Sequence, residues 1–128
     1  MGATGALPGL AKVLKRNGFK ETEELGQLIL NLMSLRALKL INAGARQRMI
    51  TLVKNTVEGK NKPEHLKLIS REELLRRYIK FYEVIAGRPT YVSLLLQYPL
   101  AAKRLGDVLG SGKWAAEYLN RHPLLLGE

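Results

Sequence analysis

Cysteine is absent from the 128 residues. That removes disulfides and every metal site built on thiolates, and it fits a reducing compartment. Aspartate occurs once, at Asp107, and histidine twice, at His65 and His122. A two-metal phosphoryl-transfer centre needs several converging carboxylates, often as Asp-x-Asp. A lone aspartate does not supply them. The two histidines stand far apart with no Cys or Asp beside either, so neither reads as a metal ligand or catalytic base. Aromatic residues make up 6% of the chain, which leaves little for a base-stacking platform. No uninterrupted apolar run approaches the roughly 18 residues of a membrane span. The greasiest region, 25–45, is broken by Arg36 and Lys39. The opening MGATGALPGL lacks the basic and apolar blocks of a secretory signal. Ala6 also stands where a myristoylation signal wants Ser or Thr. These absences point away from a membrane partner and towards the cytoplasm.

Positive charge is what the chain has in excess. The formal net charge is +10. Such a balance suits nucleic acid, an acidic membrane surface or an acidic protein. The excess is spread, about +6 in residues 1–64 and +4 in 65–128, with no dense basic block. A basic helical nucleic-acid-binding module is therefore the alternative reading, with the even spread counting against it. Arg76, Arg77 and Lys80 cluster on one predicted helix, and Lys12, Lys15 and Arg16 on another. A solvated face accounts for either cluster; the first is also a candidate docking surface.

Apolar residues recur at helical spacing along the whole chain. Leu7, Leu10, Ala11 and Leu14 make one face, stopped at Gly18, with Phe19 folding back. Thr22 with Glu23 and Glu24 reads as an N-cap and acidic first turn. Leu25, Leu28, Ile29, Leu32 and Met33 follow, and Leu35, Leu38 and Ile41 suggest a short helix. Asn42 and Gly44 mark a break before a helix over 45–58. Gly59–Pro63 reads as a linker. Ser70 and Glu73 form a capping box ahead of Leu74, Leu75, Tyr78, Ile79, Tyr82 and Ile85. Gly87 closes that helix; Pro89 and Pro99 open the next two. The segment after Pro89 is apolar nearly all round and should be buried. Gly110–Gly112 reads as a turn before a final amphipathic helix. Trp114, Tyr78, Tyr82 and Tyr91 are expected in the core. No segment alternates with a period of two. The fold class is all-α, an irregular bundle of about seven or eight short helices, in one domain or a fragment of a larger one. Its parts are N-terminal helices over 1–58, a linker over 59–63 and C-terminal helices over 64–128.

Catalytic motifs are scarce. Gly110-Ser111-Gly112-Lys113 has the look of a phosphate loop. The full motif, however, needs four residues between its glycines, Ser or Thr after the lysine and a preceding strand. Trp114 follows the lysine here. The glutamates occur as Glu23-Glu24 and Glu72-Glu73, adjacent in sequence and so not on one helix face. The end of the chain, KWAAEYLNRHPLLLGE, carries Pro123 where a new helix would begin, then three leucines. It reads as part of a longer protein, with Leu124–Leu126 expected to be loosely ordered or covered by a neighbour.

The run from Tyr78 to Leu126 resembles the bifunctional glutamine synthetase adenylyltransferase/adenylyl-removing enzymes. The matching positions are Arg88, Tyr91, Val92, Leu94, Leu95, Pro99, Arg104, Leu105 and Ser111. They continue through Trp114, Ala116, Leu119, Arg121, His122, Pro123, Leu124, Leu125 and Leu126. Upstream, Leu14, Gly18, Phe19 and Gly44-Ala45-Arg46 resemble the helices leading into this block. Gly127 and Glu128 depart from the acidic continuation usual in the family. The resemblance implies the helical region before the C-terminal adenylyltransferase domain. Family members transfer AMP from ATP to a tyrosine of glutamine synthetase and remove it by phosphorolysis. They carry two nucleotidyltransferase domains that use ATP and Mg²⁺ and are governed by glutamine and the PII signalling protein. No catalytic, cofactor-binding or metal residue of the family falls on a position of this chain. It is expected to be inactive alone, positioning the transferase domain or relaying regulatory state.

Overall fold

The computed structural model describes residues 2–60 and 69–123. Among them are eight helices and no strand: α1 (Gly2–Arg16), α2 (Thr22–Met33), α3 (Arg36–Leu40), α4 (Ala43–Val57), α5 (Arg71–Ile85), α6 (Pro89–Gln97), α7 (Pro99–Ser111) and α8 (Lys113–Arg121). The all-α class and the number of helices agree with the sequence reading. Most of the predicted linker, residues 61–63, lies outside the described residues, as does His65.

Gly18 ends α1 as its sequence demands. Its φ of 88° is left-handed, a region where a Cβ crowds the following carbonyl. Gly18 N–H donates to the Lys15 carbonyl and Phe19 N–H to the Leu14 carbonyl, each at 3.0 Å. This pair closes the helix as a Schellman motif. The reversal folds the Phe19 ring back into the core beside Leu14.

Four helix boundaries differ from expectation, the first three for a physical reason. Thr22 is not the N-cap of α2. Glu21 holds that position at φ 53° with no side-chain cap, because its backbone neighbour and its carboxylate are both tied to α5. Gly44 does not break the chain. Asn42 caps α4 by accepting from Ala45 N–H at 2.7 Å, which places Gly44 inside the first turn. The 110–112 turn is shorter than predicted, since α7 continues through Ser111 and only Gly112 interrupts it. α1 also begins earlier than the apolar pattern suggested, at Gly2, with Pro8 inside it.

Ser70 caps α5 as predicted, accepting from Glu73 N–H at 3.0 Å. The Glu73 carboxylate is engaged with Arg76 and Arg77, where charge-assisted bonds outweigh a neutral capping contact.

α5 is the central element. It packs against α2, α4, α6, α7 and α8, and Leu75, Phe81, Tyr82 and Ile85 are buried on it. Burial on so many sides explains why apolar residues cover more than one narrow stripe of this helix. One apolar cluster runs from Leu14 and Leu25 through α5 to Leu109 and Leu119. α6 is less buried than its composition suggests: Val92 and Leu95 are in the core, while Leu94 and Leu96 are half-buried. Nine residues expose one side of any helix that lies at the edge of the bundle.

The core contains two tyrosine hydroxyls. Tyr82 Oη lies 2.6 Å from Thr56 Oγ1, and Thr56 also donates to the Leu52 carbonyl. Burial, with a smaller contribution from the Asp107 charge, pushes the Tyr78 hydroxyl up to about 12. Burial raises Tyr82 as well. In both, the neutral form belongs to the folded state.

Two outcomes follow from this packing. Gly18→Ala loses about 1 kcal/mol in urea unfolding, because alanine resists the left-handed conformation. Gly112→Ala is near neutral there, since its φ of 166° is extended and a Cβ meets nothing within 4 Å. Tyr78 has an ordinary pKa near 10 in the unfolded chain and about 12 in the fold. Its contribution to stability is therefore complete below pH 10 and disappears as pH rises towards 12. Absorbance at 295 nm followed with helical circular dichroism should show its ionisation coincide with loss of helix, and Tyr78→Phe should remove that component.

Candidate interaction surfaces

The first turns of α5 form a charged clasp. Arg71 places its guanidinium 5.0 Å over the Phe19 ring. Glu72 accepts from Lys20 N–H at 2.8 Å, a bond that lowers the Glu72 pKa more than any other influence. Arg76 bonds Glu24 at 2.7 Å and also pairs with Glu21 and Glu73. These contacts raise the Arg76 pKa, the Glu24 hydrogen bond most of all. The turn between α1 and α2 is thus held at three successive residues by the first two turns of α5. Arg77 points the other way. It bonds Glu73 at 3.1 Å and donates to the Leu109 carbonyl at 2.7 Å, satisfying one of the carbonyls left open at the end of α7.

This geometry bears on the predicted docking cluster. Arg76 and Arg77 are engaged within the chain, and Lys80 is exposed one turn further along. A cleft of about 100 Å³ between α5 and α8 is lined by all three together with Lys113 and Asn120.

The family-like positions fall into two groups. Leu105 is buried in α7. Pro99 opens that helix, and Arg88 occupies the N-cap of α6 with its guanidinium 6.0 Å over the half-buried Tyr91 ring. Arg104 is exposed on α7. Those from Trp114 onward lie on or after α8, and there the expectation for Trp114 is overturned. Trp114 is 72% exposed. Helical geometry supplies the reason: Ala116 and Leu119 face the core, which turns residues two positions away to the opposite side. Trp114 stacks on Tyr118 at 5.5 Å between centroids, and Tyr118 meets His122 at 4.5 Å. Three rings spaced by four residues make a ladder on the outer face of α8, flanked by exposed Lys113, Glu117 and Arg121. His122 also ends the helix, its N–H donating to the carbonyls of Tyr118 and Leu119. Leu124, Leu125 and Leu126 lie outside the described residues.

A further concavity was not legible in the sequence. A groove of about 730 Å³ opens between α1, α2 and α4. Its walls come from helices distant in the chain, so no local pattern announces it.

Catalytic geometry is a different matter. Among the described residues no three of His, Cys, Asp and Glu come together as a metal site. The donor set does not fit Mg²⁺-ATP: Asp107 is the chain's single aspartate and lies exposed on α7. Gly110-Ser111-Gly112-Lys113 is a helix-to-helix connector, with Ser111 Oγ donating to the Val108 carbonyl. Among the described residues, no helix is long and apolar enough to cross a membrane.

Comparison with known proteins gives a consistent result. The chain is 30% identical over 116 residues to the bifunctional glutamine synthetase adenylyltransferase/adenylyl-removing enzyme of Nitrosococcus oceani. It is 29% identical over 119 residues to that of Thioalkalivibrio sulfidiphilus. Each of these matches covers 91% of this chain, and 12% and 11% of the relatives. The enzyme of Aromatoleum aromaticum is 49% identical over 57 residues, 44% of this chain and 6% of the relative. No family model and no solved structure matches. Over most of its length the chain resembles part of this enzyme, and it spans about a tenth of the length of these two relatives. The matches favour a segment of that enzyme over a nucleic-acid-binding module.

The clasp generates a direct expectation. Arg77→Ala should cost about 2 kcal/mol in urea unfolding, because it leaves a partly buried carbonyl at the α7 terminus without its charged donor. Arg77→Lys should recover part of this loss, since lysine lacks the planar fork that serves Glu73 and Leu109 together.

Proposed function

We propose that this chain serves as a noncatalytic helical segment of a glutamine synthetase adenylyltransferase. In this role it holds the AMP-transferring domain in place or passes regulatory state to it. The observation that carries the reading is the match along nearly the whole chain to a small share of a much longer enzyme. The α8 ladder adds physical support. An exposed Trp-Tyr-His stripe beside Lys and Arg has the composition of an interface centre, and it coincides with the family-like positions Trp114, Arg121 and His122. The neighbouring transferase domain is the partner this reading assigns to it. ATP, Mg²⁺ and the glutamine synthetase tyrosine then belong to that domain's chemistry, in the cytoplasm. PII acts on the whole enzyme and reaches this segment through contacts between domains.

The test exchanges the matched segment. The Nitrosococcus oceani enzyme with its 116 matched residues replaced by those of this chain should retain AMP transfer to glutamine synthetase. Trp114→Ala in that chimera should lower transfer about tenfold or more, because small misplacements of reacting groups are costly. Its helical circular dichroism should stay unchanged. This chain alone, given ATP, Mg²⁺ and glutamine synthetase, should transfer no AMP. Transfer by the chain alone, or full activity in an enzyme deleted for the segment, overturns the reading.

A further inference from the structure

The groove between the α1–α2 pair and α4 is the largest opening among the pockets described above. α1 packs on α2 and α2 on α5, while α4 packs on α5 and α6. Two walls therefore rise from a common base and stand apart. Among the lining residues, Leu14, Ile29, Val53 and Val57 are buried. Val13 on α1 and Ile50 on α4 line the walls and are 39% and 38% exposed. Neither side chain would be left so open if its neighbouring helix closed over it.

Small-molecule sites usually combine an apolar wall with a few polar groups converging on the ligand. Here the polar residues of the lining are Arg16, Asn17, Lys54 and Glu58. Asn17 already donates its side-chain amide to the Val13 carbonyl. Arg16, Lys54 and Glu58 are exposed, so their charges sit at the rim. An open apolar trough with charges along its edges suits an amphipathic helix laid lengthwise.

Charge identifies the kind of helix. Arg16 and Lys54 outnumber Glu58 at the rim, and α1 adds exposed Lys12 and Lys15. The chain as a whole carries +10. A second copy would bring the same excess, and its own exposed apolar stripe on α8 is flanked by Lys113, Glu117 and Arg121, a net positive edge that matches the rim's sign instead of complementing it. We infer that the groove receives an amphipathic helix of a partner protein, with an aliphatic face towards Val13 and Ile50 and carboxylates towards Arg16 and Lys54. This inference stands on the groove alone and is independent of whether the chain positions a transferase domain.

The probe is a fluorescein-labelled synthetic helix of about 18 residues, long enough to hold helical structure, with leucine on one face and glutamate elsewhere. Titration with this chain at about 0.15 M salt, where long-range attraction is largely screened, should give saturable anisotropy. The double variant Val13→Gln, Ile50→Gln keeps the net charge and places good helix formers at exposed positions. It should weaken binding about tenfold or more, with circular dichroism showing the fold retained. Trp114→Ala should leave the affinity unchanged. Four results would overturn the inference: no saturable binding, equal binding of a leucine-lysine helix, binding that depends on Trp114 and not on Val13 and Ile50, or tighter binding of oligothymidylate. A dimer in sedimentation that the double variant abolishes would also overturn it, by making a second copy the occupant.

Discussion

Arg76 and Arg77 are adjacent in sequence and point to different helices. Consecutive residues of a helix are about 100° apart, so one turn of α5 can grip elements on two sides. Arg76 reaches the α1–α2 turn through Glu21 and Glu24. Arg77 reaches the end of α7 through the Leu109 carbonyl. Between them, Glu73 joins both guanidinium groups. The apolar core alone would allow α2 and α7 to slide along α5, because burial is nondirectional. Hydrogen bonds from planar guanidinium groups fix the register. The same clasp explains Glu21, the one described non-glycine residue with positive φ. Its backbone is held by attachments on either side: Lys20 N–H to Glu72 and its own carboxylate to Arg76. Strain of this kind persists where surrounding contacts determine the conformation.

Much of the fold was legible in the sequence because its helices are punctuated by residues with fixed backbone roles. Gly18 ends α1, Ser70 caps α5, and Pro89 and Pro99 each open a helix, as read. The misreadings occurred where a distant partner overrides a local signal. Thr22 had the chemistry of a cap, but contacts from α5, some fifty residues away, set the backbone one residue earlier. Glu73 had the chemistry of a capping box, but two arginines claimed its carboxylate. Trp114 failed for a different reason. Its size suggested the core, while the phase of Ala116 and Leu119 on a short helix determined which side was buried. Periodicity anchored on the small residue Ala116 would have placed Trp114 outside.

The candidate surfaces were legible to unequal degrees. The ladder follows from a spacing of four between Trp114, Tyr118 and His122, which any helical reading puts on one face. Its exposure required only the phase of α8. The groove required tertiary structure, since Val13 and Ile50 lie on separate helices that line one opening only in the packed chain. Arg76 shows the converse: it reads as a free surface charge in sequence and is committed to three carboxylates in the fold.

The distribution of ion pairs also alters what +10 means. Glu21, Glu24, Glu72 and Glu73 all serve the clasp, and they are a large part of a sparse acid inventory. Carboxylates drawn together at one junction screen the arginines they contact. They do little for cations on other faces, such as Lys54 on α4, because exposed charges farther apart than about 8 Å are largely screened from one another at physiological salt. The net positive charge is therefore felt most away from the clasp, beside the α1–α4 groove and the α8 ladder. Apolar side chains remain exposed on both of these faces, as they also do at Leu40, Tyr98 and Leu100. A surface that combines open apolar area with unbalanced positive charge discriminates among partners by sign as well as by shape. In this chain, the clasp that fixes the helices also leaves positive charge predominant beside the α1–α4 groove and the α8 ladder.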